Sequence, residues 1–410
     1  MSAENVSIVV VSRGRPDALR LCLMGISQLR YPHFEVIVVA DREGLKAVDG
    51  LADRIKTVAF DAPNISQARN LGIAQAAGKI VAFIDDDAVP EPTWLSYLVA
   101  PFGDAAVSAV GGFVIGRNGI SFQWKARDIR PDGSSAPIAI DETRPTLLQG
   151  TPTRGIKTEG TNMAFRRDVL ARLGGFDPEY AFYLDESDLN MRLAATQAST
   201  AIAPRAQVHH GFAASAYRAA NRAPKDLTHI GASLVVFLRR NAPNADHSGV
   251  VAMERAQQRK RLLRHMIAGN LMPGDVTRLM RGFDKGCAEA ESRDLATLTQ
   301  LPPPQSPFLA FAPTVQAKGH MVLSARRWNW RERRADAVRA VQDGAIVSLY
   351  LFSTSARYHR VGFHQDGYWE QCGGLFGRSL RSDRIWWPYR WQSRLKREVN
   401  RVAPVRSGAD

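Results

Sequence analysis

The chain has 410 residues and a formal net charge of +14, too long for one typical compact domain and expected to form two or three. Its 45% hydrophobic and 23% charged residues exclude wholesale disorder. Residues 1–220 carry 23 Lys and Arg against 24 Asp and Glu, while 221–410 carry 31 against 16, so a uniformly basic nucleic-acid coat is excluded and the two halves are expected to differ in role.

In chain order, residues 6–11 form a β-branched run expected as a buried parallel strand. Residues 12–16 break it, and Asp17 opens a helix with Leu19, Leu23 and Ile26 at helical spacing, ended by Tyr31 and Pro32. Residues 34–40 read as a second buried strand with Asp41 at its carboxyl end, and 55–60 as a weaker one. A helix is expected over 66–77, closed by Gly78, then a strand over 80–84 followed at once by three aspartates. A further strand is expected over 105–116, loops over 117–157, strand then helix over 163–173, a helix over 186–195 and a strand ending at 202–210. Strand and helix in alternation imply right-handed βαβ units in an open α/β sheet, mostly parallel, with helices on both faces.

After about residue 225 the pattern changes. Residues 227–240 and 251–268 read as helices, the second with a basic face of Arg255, Arg259, Lys260, Arg261 and Arg264. Pro302, Pro303 and Pro304 mark a linker. A strand over 320–325, a helix over 332–342 and a strand over 345–352 then form one βαβ signature. The expected division is a catalytic-type α/β domain over 1–225, a helical extension over 226–300, and a small α/β module with a basic, Trp- and Arg-rich tail over 305–410.

The cysteines Cys22, Cys287 and Cys372 are widely separated without CxxC spacing, which argues against a disulfide scaffold or a cysteine zinc site and fits a reducing compartment. The first residues lack a cleavage pattern, so no signal peptide is expected. No stretch approaches the roughly 18 apolar residues of a membrane span. A soluble or peripheral cytoplasmic protein is expected.

Three constellations carry candidate chemistry. Asp85, Asp86 and Asp87 follow a buried strand directly. Adjacent carboxylates repel one another. At the carboxyl end of a strand in an open α/β sheet they suit a divalent cation shared with substrate phosphates; the plain alternative is a solvated acidic turn. Asp185, Glu186 and Asp188 open a helix after the aromatic residues Phe182 and Tyr183. They either complement the helix dipole or include a general base for an acceptor hydroxyl. Arg192 lies four residues after Asp188, so an ion pair makes Asp188 structural. His209 and His210 close a strand and offer either a metal ligand or merely a partly buried polar residue.

In order and spacing these features resemble the inverting glycosyltransferases of family 2, with the GT-A fold. The match runs through VSIVVVSRGRPDALRLCL and FEVIVVAD, then NISQARNLGIAQAAGKIVAFIDDDAVPEPTWL, and closes with GTNMAFRRDVLARLGGFDPEYAFYLDESDLNMRL, covering about residues 5–220. The resemblance implies a nucleotide-diphosphate sugar donor and a divalent cation, Mn²⁺ or Mg²⁺. It implies Asp41 and Arg69 at the nucleotide, Asp85 and Asp86 toward ribose and diphosphate, and Asp87 with His210 as metal ligands, His209 being the alternative. Glu186 matches the catalytic base. The usual order there is Glu-Asp, whereas this chain has Asp185 then Glu186, so both stand as candidates. Gly160, Thr161 and Asn162 resemble the loop lining donor sugar and acceptor. The processive synthases of the family carry a QxxRW motif and membrane helices; neither is found here. The implied reaction is therefore single-sugar transfer to a glycan, lipid-linked or protein acceptor, as in polysaccharide biosynthesis.

Two other classes compete: a non-catalytic carbohydrate- or membrane-binding protein on a transferase scaffold, and a nucleotidyltransferase, for which Ser12–Arg15 (SRGR) is a faint basic loop after the first strand. The segment from Cys372 to Asp410 holds nine Lys and Arg, three Asp and Glu, and Trp386, Trp387 and Trp391. The plain expectation is a solvated tail with its aromatics packed on the domain. Peripheral contact with an anionic membrane comes second and nucleic acid last. The segment YHRVGFHQDGYWEQCGGLFGRS reads as a packed loop or small acceptor-side module.

Overall fold

The computed structural model describes residues 4–312 and 319–407. The first three residues of the expected 1–225 domain, and 313–318 and 408–410 of the expected 305–410 module, lie outside the described residues.

The β-branched runs become buried strands. β1 (Val6–Ser12), α1 (Pro16–Ile26), β2 (Phe34–Ala40), α2 (Arg42–Ala47), β3 (Lys56–Ala59), α3 (Ile65–Gln75) and β4 (Ile80–Asp85) alternate. β1 pairs in parallel with β2 and with β4, and β2 with β3. Helix α2 was not expected. It has only six residues, too few for a periodic signal, and is fixed by its cap: Asp41 Oδ1 accepts the Gly44 N–H at 2.9 Å.

The chain continues through β5 (Ala88–Pro90), α4 (Trp94–Val99) and β6 (Val107–Ile115). Residues 117–157, expected as loops, contain β7 (Phe122–Trp124), β8 (Arg127–Ile129), β9 (Thr146–Gln149) and β10 (Gly155–Lys157). Strands of three or four residues are too short to establish an alternating pattern. Then follow β11 (Asn162–Arg166), α5 (Arg167–Arg172), α6 (Asp185–Ala195) and β12 (Ser199–His210). The main sheet runs β3-β2-β1-β4-β11-β6-β12-β5, with β7 on β6 and β9 on β12. It is mostly parallel on the β1–β4 side. β11 enters antiparallel between β4 and β6, and its register of Asn162 against Ile84 carries residue 161 to the aspartates at the end of β4.

Side chains alternate across the strands into two cores. Val6, Ile8 and Val10 pack with α1 and α4 on one face; Val9, Ile37 and Val39 pack with α3, α5 and α6 on the other. The expected α/β architecture with helices on both faces is thus present.

α7 (Thr228–Asn241), α8 (His247–Ile267) and α9 (Pro273–Glu291) form the helical segment. α9 was not expected. It crosses α7 so closely that a side chain at Gly286 would collide with the Thr228 carbonyl, and one at Gly231 with the Phe283 carbonyl. β13 (His320–Ala325), α10 (Trp330–Gln342) and β14 (Ile346–Ser353) make the expected parallel βαβ unit. The segment expected as a packed loop forms β15 (Arg360–Phe363) and β16 (Trp369–Gly374), an antiparallel pair. The expected solvated tail is corrected in part: α11 (Trp391–Arg406) buries Arg394, Glu398 and Arg406.

This second sheet is joined to the first. Gln28 Nε2 donates to the Gly367 carbonyl at 2.6 Å, Thr93 Oγ1 to that of Val405 at 2.7 Å, and Val361 and Trp369 pack with Val89 and Ile120. Among the described residues no helix is long and apolar enough to cross a membrane.

Candidate active site

β4 delivers the three aspartates to the carboxyl edge of the sheet, and the turn after it points them apart. Asp85 keeps 27% of its side chain exposed, while Asp86 and Asp87 are buried. Thr161 Oγ1 donates to Asp85 Oδ2 at 2.6 Å. Ser12 Oγ donates to Asp86 Oδ2 at 2.6 Å, and Arg15 reaches Asp86 at 2.6 Å and Asp87 at 3.2 Å. The Ala213 N–H donates to Asp87 Oδ2 at 2.9 Å, and His210 Nε2 lies 3.4 Å from Asp87 Oδ1.

These environments separate neighbouring carboxyls. Burial, with the repulsion of Asp87 and Asp85, pushes Asp86 up to about 7 against the pull of Arg15. Burial also acts to raise Asp87, but contact with His210, the charges of His210 and Arg15, and the Ala213 N–H outweigh it and hold Asp87 at about 2. Asp87 is therefore a fixed anion at the sheet edge.

Asp85, Asp87 and His210 each present a ligand atom within 4.8 Å of the others. Two carboxylates and an imidazole are a donor set suited to Mn²⁺ or Mg²⁺, and Asp85 is the partly exposed member of the set. His209 is not part of this group. Adjacent residues of β12 face opposite sides of the sheet. Its Nε2 meets Glu91 Oε1 at 2.7 Å, and its ring packs on Trp369 with centroids 4.5 Å apart.

The second acidic constellation joins the first through Arg69. Its Nη2 lies 3.4 Å from Asp85 Oδ1, Nη1 grips Asp185, and Nη2 also donates to the Gly160 carbonyl at 3.2 Å. α6 begins after Tyr183 and Leu184, both with positive φ (77° and 66°). The left-handed conformation is costly for such side chains, so this is stored strain at the point where Asp185 and Glu186 are aimed. Glu186 faces Lys157 Nζ at 3.3 Å, and Lys157 lies 3.8 Å from Glu159. Burial raises Asp185, with Arg69 opposing and Glu186 adding to the shift. Burial works against ionised Glu186 as well, but Lys157 and then Arg69 overcome it and leave it lowered. Asp188 is engaged elsewhere, accepting from Arg192 Nε at 2.7 Å and from the Tyr180 hydroxyl at 3.3 Å.

Asp41 lies at the rim of an open cleft of about 700 Å³, lined with Arg42, Leu45, Lys46, Phe60 and Asp61. Its Oδ2 accepts the Gly14 N–H at 2.7 Å. Of the loop 160–162, Gly160 and Thr161 touch the site, but Asn162 turns away. Its amide donates to the carbonyls of Phe113 (2.9 Å) and Ala206 (2.8 Å) and accepts from Trp94 Nε1 at 2.8 Å. Of three further site neighbours, Ser12 and Arg15 were read from sequence only as the ends of a faint basic loop, and Lys157 was not singled out. Arg15 had a faint signal in its place after the first strand; Lys157 lies on a strand too short to be read.

Residues 7–174 match the family model described as glycosyl transferase family 2. This segment belongs to that family. Among curated relatives, the glycosyltransferase segment is similar to the O-antigen biosynthesis protein RfbC of Myxococcus xanthus, 30% identical over 214 residues, 46% of this chain and 16% of that protein. It is also similar to the glucosyl-dolichyl phosphate glucuronosyltransferase of Haloferax volcanii, 29% identical over 184 residues, 42% of this chain and 56% of that protein. The chain thus spans about half or less of the length of these relatives. Among solved structures, a mannosyltransferase from Pyrobaculum calidifontis, in complex with GDP-Man and Mn²⁺, is similar at 17% identity and a TM-score of 0.44, over 71% of this chain and 88% of that one. GalNAc-T7 with UDP, GalNAc and Mn²⁺ is similar at 16% identity and a TM-score of 0.42, over 51% of this chain and 44% of that one.

Proposed function

We propose that the protein transfers a single sugar, with inversion, from a nucleotide-diphosphate sugar to a hydroxyl of a glycan, lipid-linked or protein acceptor, with Mn²⁺ or Mg²⁺ bound. The observation that carries this reading is Arg69, which touches Asp85 on one side and Asp185 on the other and so makes one site of the two acidic groups.

In this reading Asp41 and the cleft beside it receive the nucleoside. Asp85, Asp87 and His210 hold the cation, which when bound supplies positive charge to the departing diphosphate. Arg15 keeps Asp86 and Asp87 oriented. Glu186, ionised beside Lys157, accepts the proton of the acceptor hydroxyl. The new bond to the anomeric carbon forms as the bond to diphosphate breaks on the opposite face, so no covalent enzyme intermediate is needed. Asp185, held protonation-prone by burial, positions Arg69 rather than acting as the base. We place the protein in the cytoplasm, peripheral at the inner face of the membrane.

The test is a panel of nucleotide sugars with Mn²⁺ and Mg²⁺, read by thermal shift and by product. A metal-dependent shift with release of a nucleoside diphosphate and an inverted product supports the reading. Release of pyrophosphate favours nucleotidyl transfer, for which Arg15 beside the aspartates is the supporting contact; binding without turnover favours a non-catalytic carbohydrate-binding role.

A further inference from the structure

Part of the excess positive charge of the second half lies in the turn that precedes α11. Between residues 376 and 390 the only acidic residue is Asp383, against Arg378, Arg381, Arg384 and Arg390. Arg397 already neutralises Asp383. On the same turn Ile385, Trp386 and Trp387 are 67%, 55% and 41% exposed. Large apolar side chains on successive residues of a soluble surface usually mark an interaction site.

The turn is held firmly. Ser379 and Leu380 N–H groups donate to Asp383 Oδ2 at 3.0 Å each, the Trp387 N–H donates to the Phe376 carbonyl at 3.1 Å, and Arg397 also bonds the Tyr389 hydroxyl. Beside it Arg384, Trp387, Tyr389, Arg394 and Arg397 line a small pocket of about 180 Å³. Arg326 extends the surface, stacked between exposed Trp328 at 5.2 Å and Trp391 at 4.8 Å.

We propose that residues 380–390 dock the protein on an anionic lipid surface, with Ile385 and Trp386 entering the headgroup region and Arg381, Arg384 and Arg390 facing lipid phosphates. Indole rings favour that interface, and each arginine near it adds attraction to anionic lipid. A second copy of the chain is a poorer occupant, because a two-fold contact would set four arginines against four. Nucleic acid is poorer too, since Ile385, the most exposed of the three, is aliphatic and offers no stacking platform. This deepens the peripheral placement proposed above. The 16 residues of α11, at about 1.5 Å each, put the turn about 24 Å along the helix from Arg406.

The test is co-sedimentation of the full chain with neutral phosphatidylcholine vesicles and with vesicles containing about 30% phosphatidylglycerol, at low and high salt. The expected result is at least about tenfold preference for the anionic vesicles, weakened by salt. Ile385→Ser with Trp386→Ser lowers that partition at least about tenfold without moving Tm, and Arg381→Gln with Arg384→Gln does the same. No preference for anionic vesicles, or partition unchanged in both double variants, overturns the proposal. So does binding of a single-stranded oligonucleotide or self-association that needs Trp386 while vesicles bind nothing. A nucleotide–Mn²⁺ thermal shift on the same preparations separates the two readings: an intact shift without vesicle binding removes docking alone, and vesicle binding without any shift removes sugar transfer alone.

Discussion

Arg406 lays its guanidinium fork across Glu91, with Nε 2.8 Å from Oε2 and Nη2 2.8 Å from Oε1, both side chains buried. Glu91 also accepts from His209, whose neighbour on β12 is His210, and β5, paired with this end of β12, ends one residue before Glu91. The guanidinium lies over Trp369 at 4.3 Å. Removing one partner of a buried ion pair leaves the other charge unpaired. Arg406→Ala is expected to cost about 3–5 kcal/mol in denaturant unfolding. A loss under about 1 kcal/mol would show that the pair is not a structural tie.

Acid should reveal the same contact. Arg406 and then His209 hold Glu91 at about 2, below its ordinary value of 4.5, although burial opposes this. A lowered carboxyl contributes stability that is complete above the unfolded value and disappears as pH falls from about 4.5 towards 2. Unfolding free energy measured against pH should fall in that window, and the fall should be shallower in Glu91→Leu with Arg406→Met. Parallel curves for the two proteins would contradict the assignment.

The two histidines should behave differently. His210→Ala is expected to weaken Mn²⁺ binding, read by titration calorimetry, by more than the about 10–100-fold typical of groups behind the ligands. Asp87→Ala should abolish the metal-dependent part of the nucleotide thermal shift. His209→Ala should lower Tm with a smaller effect on metal affinity. The reverse ranking of the histidines would place the ligand on the wrong face of β12.

For the acid pair, Glu186→Gln is expected to lower kcat about 10²–10⁴-fold with the nucleotide thermal shift kept. Asp185→Asn should instead lower stability and nucleotide affinity together, because Arg69 loses its buried partner. Full turnover in Glu186→Gln would move the base to Asp185 or elsewhere.

Asn162→Ala orphans two buried carbonyls and the Trp94 indole N–H. A cost of about 1–3 kcal/mol for each orphaned group is expected in unfolding experiments. An unchanged stability with a raised acceptor KM would return Asn162 to the sugar-lining loop.

What could be read from sequence follows from how local the signal is. The apolar run 80–84 with acids at its end marks both the strand and the aspartates, because burial and the strand's end are written in consecutive residues. The choice between His209 and His210 is not local. It depends on which face of β12 lies toward Asp87, which is set by pairing with β5 over a hundred residues away in sequence. Arg15 was legible only as part of a faint basic loop, because its contact with the aspartates depends on a turn at Gly14, with φ of 67°, that swings it back to them. The tail read as solvated because the contact that buries its end is not local either: Arg406 and Glu91 are 315 residues apart.

That separation bears on engineering. Cutting the chain after the last strand of the first sheet would strip Glu91 of its Arg406 partner and leave it His209, uncover the Trp369 side of that histidine, and remove the acceptor for the Thr93 hydroxyl. The sheet that carries the aspartates is not a portable cassette. Chimeras that exchange carboxyl-terminal halves between relatives should keep residues 89–93 and the last turn of α11 from the same parent, or the graft will misfold at the seam rather than change its acceptor.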